Sequence, residues 1–308
     1  MNDNAAYKLI NKMVNHLVHE MVDIKDTEEL LKKTHRQVGE HLYVKTDELD
    51  TKLRPMAEED KKKLQIVLMM GGGGTRLLHV TRGKISKHMI DVGGQPISKY
   101  TLDLWRNGGF TNFCILTDNT EMGKSIQKFY GAGAKFGTNN SYSIEKKMMG
   151  SGGAIKEAIE NGTIKGPFIN HYPDDLIVNY PNFAEDFAKV FLAALDAGYQ
   201  TVLVCVPGTL YPYGVVIDEN GKVTEFVEKP FVYKDTNTAI YGLSEETFGL
   251  FKEIDTSAGP VKIERSVVFE TLTKTGKMFK VMLPSEHWIA VNDDPSLRKF
   301  ESLINGEL

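Results

Sequence analysis

The residues richest in chemical meaning follow the apolar run QIVLMM, where Gly71, Gly72, Gly73 and Gly74 lead into Thr75 and Arg76. Backbone amides can crowd a polyphosphate only where side chains are absent, so such a run suits phosphate binding. Arg76 adds a planar fork of donors matched to phosphate oxygens. The run equally suits a plain flexible turn. It fits neither the GxxxxGK[ST] loop nor a GxGxxG turn opening a helix. Lys87 follows, set between Ser86 and His88. The acidic pair Asp174-Asp175 ends a predicted strand, which is where open α/β sheets place ligand groups. A helix or turn cap is its plain alternative. Glu228 and Lys229 stand between Val227 and Pro230, behind a patterned hairpin. The eight histidines show no HExxH or metal-cluster spacing, and His171, three residues before Asp174, is read as structural or solvent-facing.

These groups need a scaffold, and from Gln65 onward the chain alternates short apolar runs with amphipathic segments. Strands are predicted at QIVLMM, FCILTD, SYSIE, PFINHY and TVLVCV, with helices over 96–107, 120–130, 152–160 and 183–197. Such alternation predicts a mostly parallel sheet covered on both faces. After Pro207 the run GVVIDENGKVTEFVE reads as two strands joined by an Asn-Gly turn. With a strand near 239–241, a helix over 263–275 and the strand FKVML, it suggests a second lobe. Before residue 64 the pattern is helical. Leu9, Ile10, Met13, Val14, Leu17, Val18, Met21 and Val22 form one apolar stripe, and Leu30, Leu31, Val38 and Leu42 continue a second helix. The division expected is a helical extension over 1–64 and a domain over 65–308, split into halves 65–206 and 207–308.

Composition narrows the classes. The chain has 308 residues, 37 Lys plus Arg against 41 Asp plus Glu, and a formal charge of −4, so no basic footprint points to nucleic acid or an anionic membrane. No apolar run approaches the roughly 18 residues of a membrane span, and the first residues lack a signal-peptide profile. Cys114 and Cys205 lie inside apolar runs and read as buried, reduced thiols. A cytoplasmic protein is expected.

The ordered motifs GGGGTRLLHVTRGKISKHMIDVGGQPI, GSGGAI, YPDDLI, YGVVIDENGKVTEFVEKP and NTAIY together resemble the sugar-1-phosphate nucleotidylyltransferases, or NDP-sugar pyrophosphorylases. The resemblance spans roughly residues 65–308. It implies a three-layer, Rossmann-like α/β nucleotidyltransferase fold with a mixed, mostly parallel sheet. It assigns phosphate binding to Arg76 and Lys87 and nucleotide contacts to the glycine run, Thr75, Gly150, Gly152 and Gly153, with Ser151 among them. Sugar-phosphate contacts fall to Gly214, Glu228, Lys229 and Asn237. Mg²⁺ is implied on Asp174 and, in the variant form of the carboxy-terminal motif, on Asn292, with Asp293 in reserve. This chain departs from the family where Ser86 and His88 replace two prolines, where Ala239 replaces a glycine, and where Ala290 replaces a metal-binding aspartate.

The implied reaction joins a nucleoside triphosphate to a sugar-1-phosphate and releases pyrophosphate, with UTP and glucose-1-phosphate slightly favoured. A homo-oligomer assembled through the N-terminal helices is expected. The alternatives are a silent nucleotide-sugar-binding regulator, another nucleotidyl- or glycosyltransferase of the same fold, and a scaffold acting through its helices.

Overall fold

The structure is a computed structural model that describes residues 27–72, 77–211 and 213–307. The apolar stripe over 9–22 and the residues Gly73, Gly74, Thr75 and Arg76 lie outside the described residues. Among the described residues, nine strands form the main sheet: β1 (Arg36–Gln37), β2 (Tyr43–Val44), β3 (Gln65–Met69), β4 (Asn112–Asp118), β5 (Asn139–Glu145), β6 (Phe168–His171), β7 (Thr201–Val206), β8 (Thr236–Leu243) and β9 (Met278–Met282). Their order is β1-β2-β9-β7-β8-β6-β3-β4-β5. The run β6-β3-β4-β5 is parallel, as is β7-β9, while β8 lies antiparallel to both of its neighbours. The sheet is mixed with a parallel core. Every residue of β3 is buried, which suits a continuous apolar strand with helices on both faces.

Helices α1 (Thr27–Thr34), α2 (Ile97–Asn107), α3 (Glu121–Tyr130), α4 (Gly150–Glu160), α5 (Phe183–Asp196), α6 (Val267–Lys274) and α7 (Asp294–Ile304) are the longer ones among the described residues. On one face Trp105 of α2 and Phe183, Phe187 and Phe191 of α5 pack on Ile66, Leu68 and Ile115. On the other, Ile155 and Ala158 of α4 join Val268 and Leu272 of α6 against Val67, Cys114 and Leu116. Helix, sheet and helix make three layers. Both cysteines are buried and free, and burial pushes their thiols up, Cys114 to about 12 and Cys205 to about 11.

The predicted strands and helices after residue 64 are found with small shifts of boundary. The helix expected to begin at 152 starts at Gly150, and that expected over 263–275 is a short turn, Ile263–Arg265, followed by α6. The residues after Pro207 are not a separate lobe, because β8 and β9 return into the main sheet, while the hairpin Val215–Glu219 with Lys222–Val227 and the short pair Thr209–Leu210 with Phe231–Val232 stand apart. The hairpin's Asn220 and Gly221 both have positive φ, 53° and 82°, as a primed hairpin turn requires.

One expectation fails before residue 64. Leu30, Leu31, Val38 and Leu42 do not share a helix. α1 ends at Thr34, and β1 and β2 then form an antiparallel pair whose Tyr43 adds to Met282 of β9. Leu31, Tyr43, Cys205 and Met282 bury one another, and that contact overrides the helical period. Thr27 binds Glu286 at 2.5 Å and accepts from the Ser285 amide at 2.6 Å, while Glu28 accepts from Tyr43 at 2.7 Å. This segment therefore grips the 284–292 loop from outside.

Candidate active site

A cleft of about 510 Å³ opens at the C-terminal ends of β3, β4, β5 and β6. Gly71, Gly72, Lys87, Gly150, Ser151, Asp174, Asp175, Ala239 and Asn292 all line it. Two loops carry its centre. The Asp175 amide donates to the Tyr172 carbonyl at 2.9 Å, which turns the chain sharply after β6 where Asp174 stands. The short strands Asp175–Ile177 and Trp288–Ala290 pair antiparallel, with Ala290 opposite Asp175. The Val291 amide then donates to the Asp174 carbonyl at 2.8 Å, so Asn292 is brought to Asp174 from a distance in sequence.

His171 locks this arrangement. It is wholly buried; Trp105 Nε1 donates to its Nδ1 at 2.9 Å, and its Nε2 faces the Asp175 carbonyl at 2.6 Å. With Nδ1 accepting, Nε2 carries the proton and donates. Burial lowers its pKa to about 4, against the opposing pull of that carbonyl and of Asp174, so the ring is a neutral brace. Asp175, also at the cleft wall, accepts from Trp288 Nε1 at 3.2 Å. Asp293 caps α7 by accepting from the Ser296 amide at 3.0 Å, which makes it a structural residue.

Asp174 is the buried charge of the cleft. Its Oδ2 accepts a hydrogen bond from Lys87 Nζ, while its Oδ1 is buried with no partner among the described residues. Burial alone would raise this carboxyl, yet the Lys87 ammonium and then His88 overcome it and hold the group below the usual range. His88 itself is buried, and burial, opposed by Asp174, lowers its pKa to about 4. No cluster of three or more His, Cys, Asp or Glu suited to a metal occurs among the described residues. A magnesium ion takes few protein ligands and completes its shell with water and phosphate, so the buried Asp174 carboxylate with the Asn292 amide at the same cleft is a donor set that fits that ion.

Gly150 is forced by geometry. Its φ is +74°, and a Cβ there would stand 2.6 Å from the Val261 carbonyl oxygen. Gly152 and Gly153 are buried within α4 against Val261, Ile254 and Thr256, so they serve packing and do not line the cleft. Gly214, Glu228 and Lys229 do not line it either. They stand on the projecting hairpin and its exit, where Glu228 and Lys229 are exposed. Asn237 reaches the cleft only at second hand. It donates to the Tyr241 hydroxyl at 2.6 Å, which donates to Glu264 at 2.8 Å, and Glu264 lines the cleft. Ala239 has φ +62°, the left-handed conformation that glycine adopts without strain.

Sequence reading missed Glu145, Lys262 and Glu264. Glu145 ends β5, accepts from the Met149 amide at 3.1 Å and lies next to Gly71. Burial pushes its carboxyl up to about 7, helped by Glu157 and Asp118. A charged residue closing a predicted strand four places before a Met-Gly step was the available signal.

Residues 65–301 match the family model described as Nucleotidyl transferase. The chain belongs to the nucleotidyl transferase family. Within that family it is similar to a UTP–glucose-1-phosphate uridylyltransferase of Synechocystis, 29% identical over 187 residues that cover 54% of this chain and 46% of the relative. It is also similar to a mannose-1-phosphate guanyltransferase of Saccharomyces cerevisiae, 26% identical with 64% and 55% covered. The chain spans about half the length of the curated relatives it matches. Two solved structures share the fold. A Bacillus anthracis protein assigned as a glucose-1-phosphate thymidylyltransferase, in complex with sucrose, has a TM-score of 0.61 at 21% identity over 78% of this chain and 95% of its own. A UDP-glucose pyrophosphorylase complexed with UDP-glucose has a TM-score of 0.58 at 16% identity, covering 80% and 99%. No helix among the described residues is long and apolar enough to cross a membrane.

Proposed function

We propose that this cleft transfers a nucleotidyl group from a nucleoside triphosphate to a sugar-1-phosphate. The observation that carries the reading is the buried Asp174–Lys87 pair beside Asn292, at the sheet end where the family's glycine run also arrives. An oxygen of the sugar phosphate bonds to the α-phosphorus, the bond to the β-phosphate breaks, and pyrophosphate leaves. The nucleophile is already an anion, so no general base is needed. The obstacle is repulsion between two polyanions, and placed positive charge removes it.

Lys87 is one such charge, and Arg76 is proposed as its partner on the nucleotide phosphates. Lys262, which lines the cleft, is a cation available to the attacking phosphate, while Lys229 stands outside it on the hairpin. Asp174 and Asn292 would hold Mg²⁺, which when bound neutralises and orients phosphate oxygens. Uridylyl transfer to glucose-1-phosphate is the first pair proposed. Guanylyl transfer is the second, favoured by Glu145, since a carboxylate beside Gly71 can accept the N–H donors that guanine presents. A panel of nucleoside triphosphates against several sugar-1-phosphates, read by pyrophosphate release, tests both. Release from none of the pairs refutes the proposal.

A further inference from the structure

His88 stands where the resembling family carries a proline, and nothing in the reaction so far uses it. Its backbone is fully tied. The amide faces Ser86 Oγ at 3.4 Å, and the carbonyl accepts from Ser98 Oγ at 2.7 Å. Its ring is not. The residue is 1% exposed, yet neither Nδ1 nor Nε2 has a hydrogen-bond partner among the described residues. Across from it, Asp174 Oδ1 is also buried and unpartnered, 3.9 Å from His88 Nδ1. A neutral imidazole always has one N–H to give, and a buried donor left idle costs about 1–3 kcal/mol. An idle donor and an idle acceptor so close together form one incomplete contact, short of hydrogen-bond length by less than a side-chain torsion can supply.

We propose that His88 is a positioning residue for Asp174: its Nδ1–H holds Oδ1, which fixes the carboxylate plane and leaves Oδ2 for a cation. In the structure that cation is the Lys87 ammonium. When Lys87 turns to a phosphate, Asp174 loses its one charged partner, and His88 keeps the buried carboxylate oriented for the divalent ion. A proline at this position has no donor, so the function is peculiar to chains carrying histidine here. Hydrogen bonds of this kind behind a metal ligand typically change metal affinity 10–100-fold.

This inference rests on the reading of Asp174 as a metal ligand in the proposed reaction. The test is Mn²⁺ titration of the full chain with inorganic pyrophosphate present, followed by electron paramagnetic resonance, so it depends on neither base nor sugar. His88→Phe, which keeps the ring shape without a donor, is expected to weaken Mn²⁺ binding about tenfold. His88→Asn, whose amide nitrogen reaches the place of Nδ1, is expected to restore it. If His88→Phe fails to fold, His88→Leu takes its place in the same comparison. Binding by His88→Phe equal to that of the unaltered protein overturns the inference alone. So does an equal loss in a folded His88→Asn. If the unaltered protein binds no Mn²⁺, the metal-ligand reading falls and this inference falls with it.

Discussion

Replacing Lys87 by methionine isolates the buried pair. The Asp174 side chain is 6% exposed and that of Lys87 21%, so the change strands a carboxylate in a site that water scarcely reaches. Removing one partner of a buried pair costs about 3–5 kcal/mol, and the partial exposure of Lys87 argues for the lower figure. At about 2–4 °C per kcal/mol, the melting temperature should fall by about 6–12 °C at neutral pH. The sign of the pH dependence follows from the lowered pKa of Asp174. Stability from such a group is present above the unfolded carboxylate pKa and is lost as pH falls through the folded one. Without Lys87, burial loses its main opponent and raises the group, so acid relieves the variant by protonating it. The gap between the two proteins should therefore be wide at about pH 8 and narrow at about pH 4. Calorimetric melts in a chelator measure it, since no metal can then stand in for the lysine. Lys87→Met combined with Asp174→Asn should recover much of the loss. A gap that stays constant between those pH values, or a neutral-pH melt within a degree or so of the unaltered protein, refutes the reasoning.

Other outcomes are expected. Asp174→Asn should slow pyrophosphate release by about a hundredfold or more while leaving the circular dichroism spectrum unchanged, and near-normal release would remove Asp174 from the proposed chemistry. Ala239→Gly should stabilise the protein by about 1 kcal/mol, because the φ of +62° ceases to be strained; a melt that does not rise contradicts this. Gly150→Ala should lower the melting temperature and weaken nucleotide binding together, since its Cβ has no room against Val261. Glu145 binds its proton more tightly when folded, so the protein should lose stability as pH rises from the ordinary carboxylate range to about 7. Glu145→Gln should flatten that slope and shift the base preference in the substrate panel, and an unchanged slope would show that the carboxyl is not buried as described.

The parallel core was legible because its strands are short, near-continuous apolar runs, as at QIVLM and FCIL. Asp174, Lys87 and Asn292 were legible through the resemblance, and their meeting in one cleft depends on the Ala290–Asp175 register, which no local pattern encodes. Gly152 and Gly153 looked like part of a binding loop because small residues serve two purposes. Here they allow α4 to approach its neighbours. The hairpin was recognised from its Asn-Gly turn, but the direction in which it carries Glu228 and Lys229 was not, since direction depends on tertiary contacts beyond the two strands. Glu145 escaped notice because burial, and not residue type, gives it its character.

The grip of residues 27–44 on the rest of the chain bears on any shortened version of it. Tyr43 pairs with Met282 at the outer edge of β9, and a chain starting at residue 60 would uncover that apolar end of the strand. Such an edge is a template for strands of other molecules, so the shortened protein should precipitate or pair with itself. Loss of activity on truncation would then report on colloidal behaviour and say nothing about whether the leading residues take part in the chemistry.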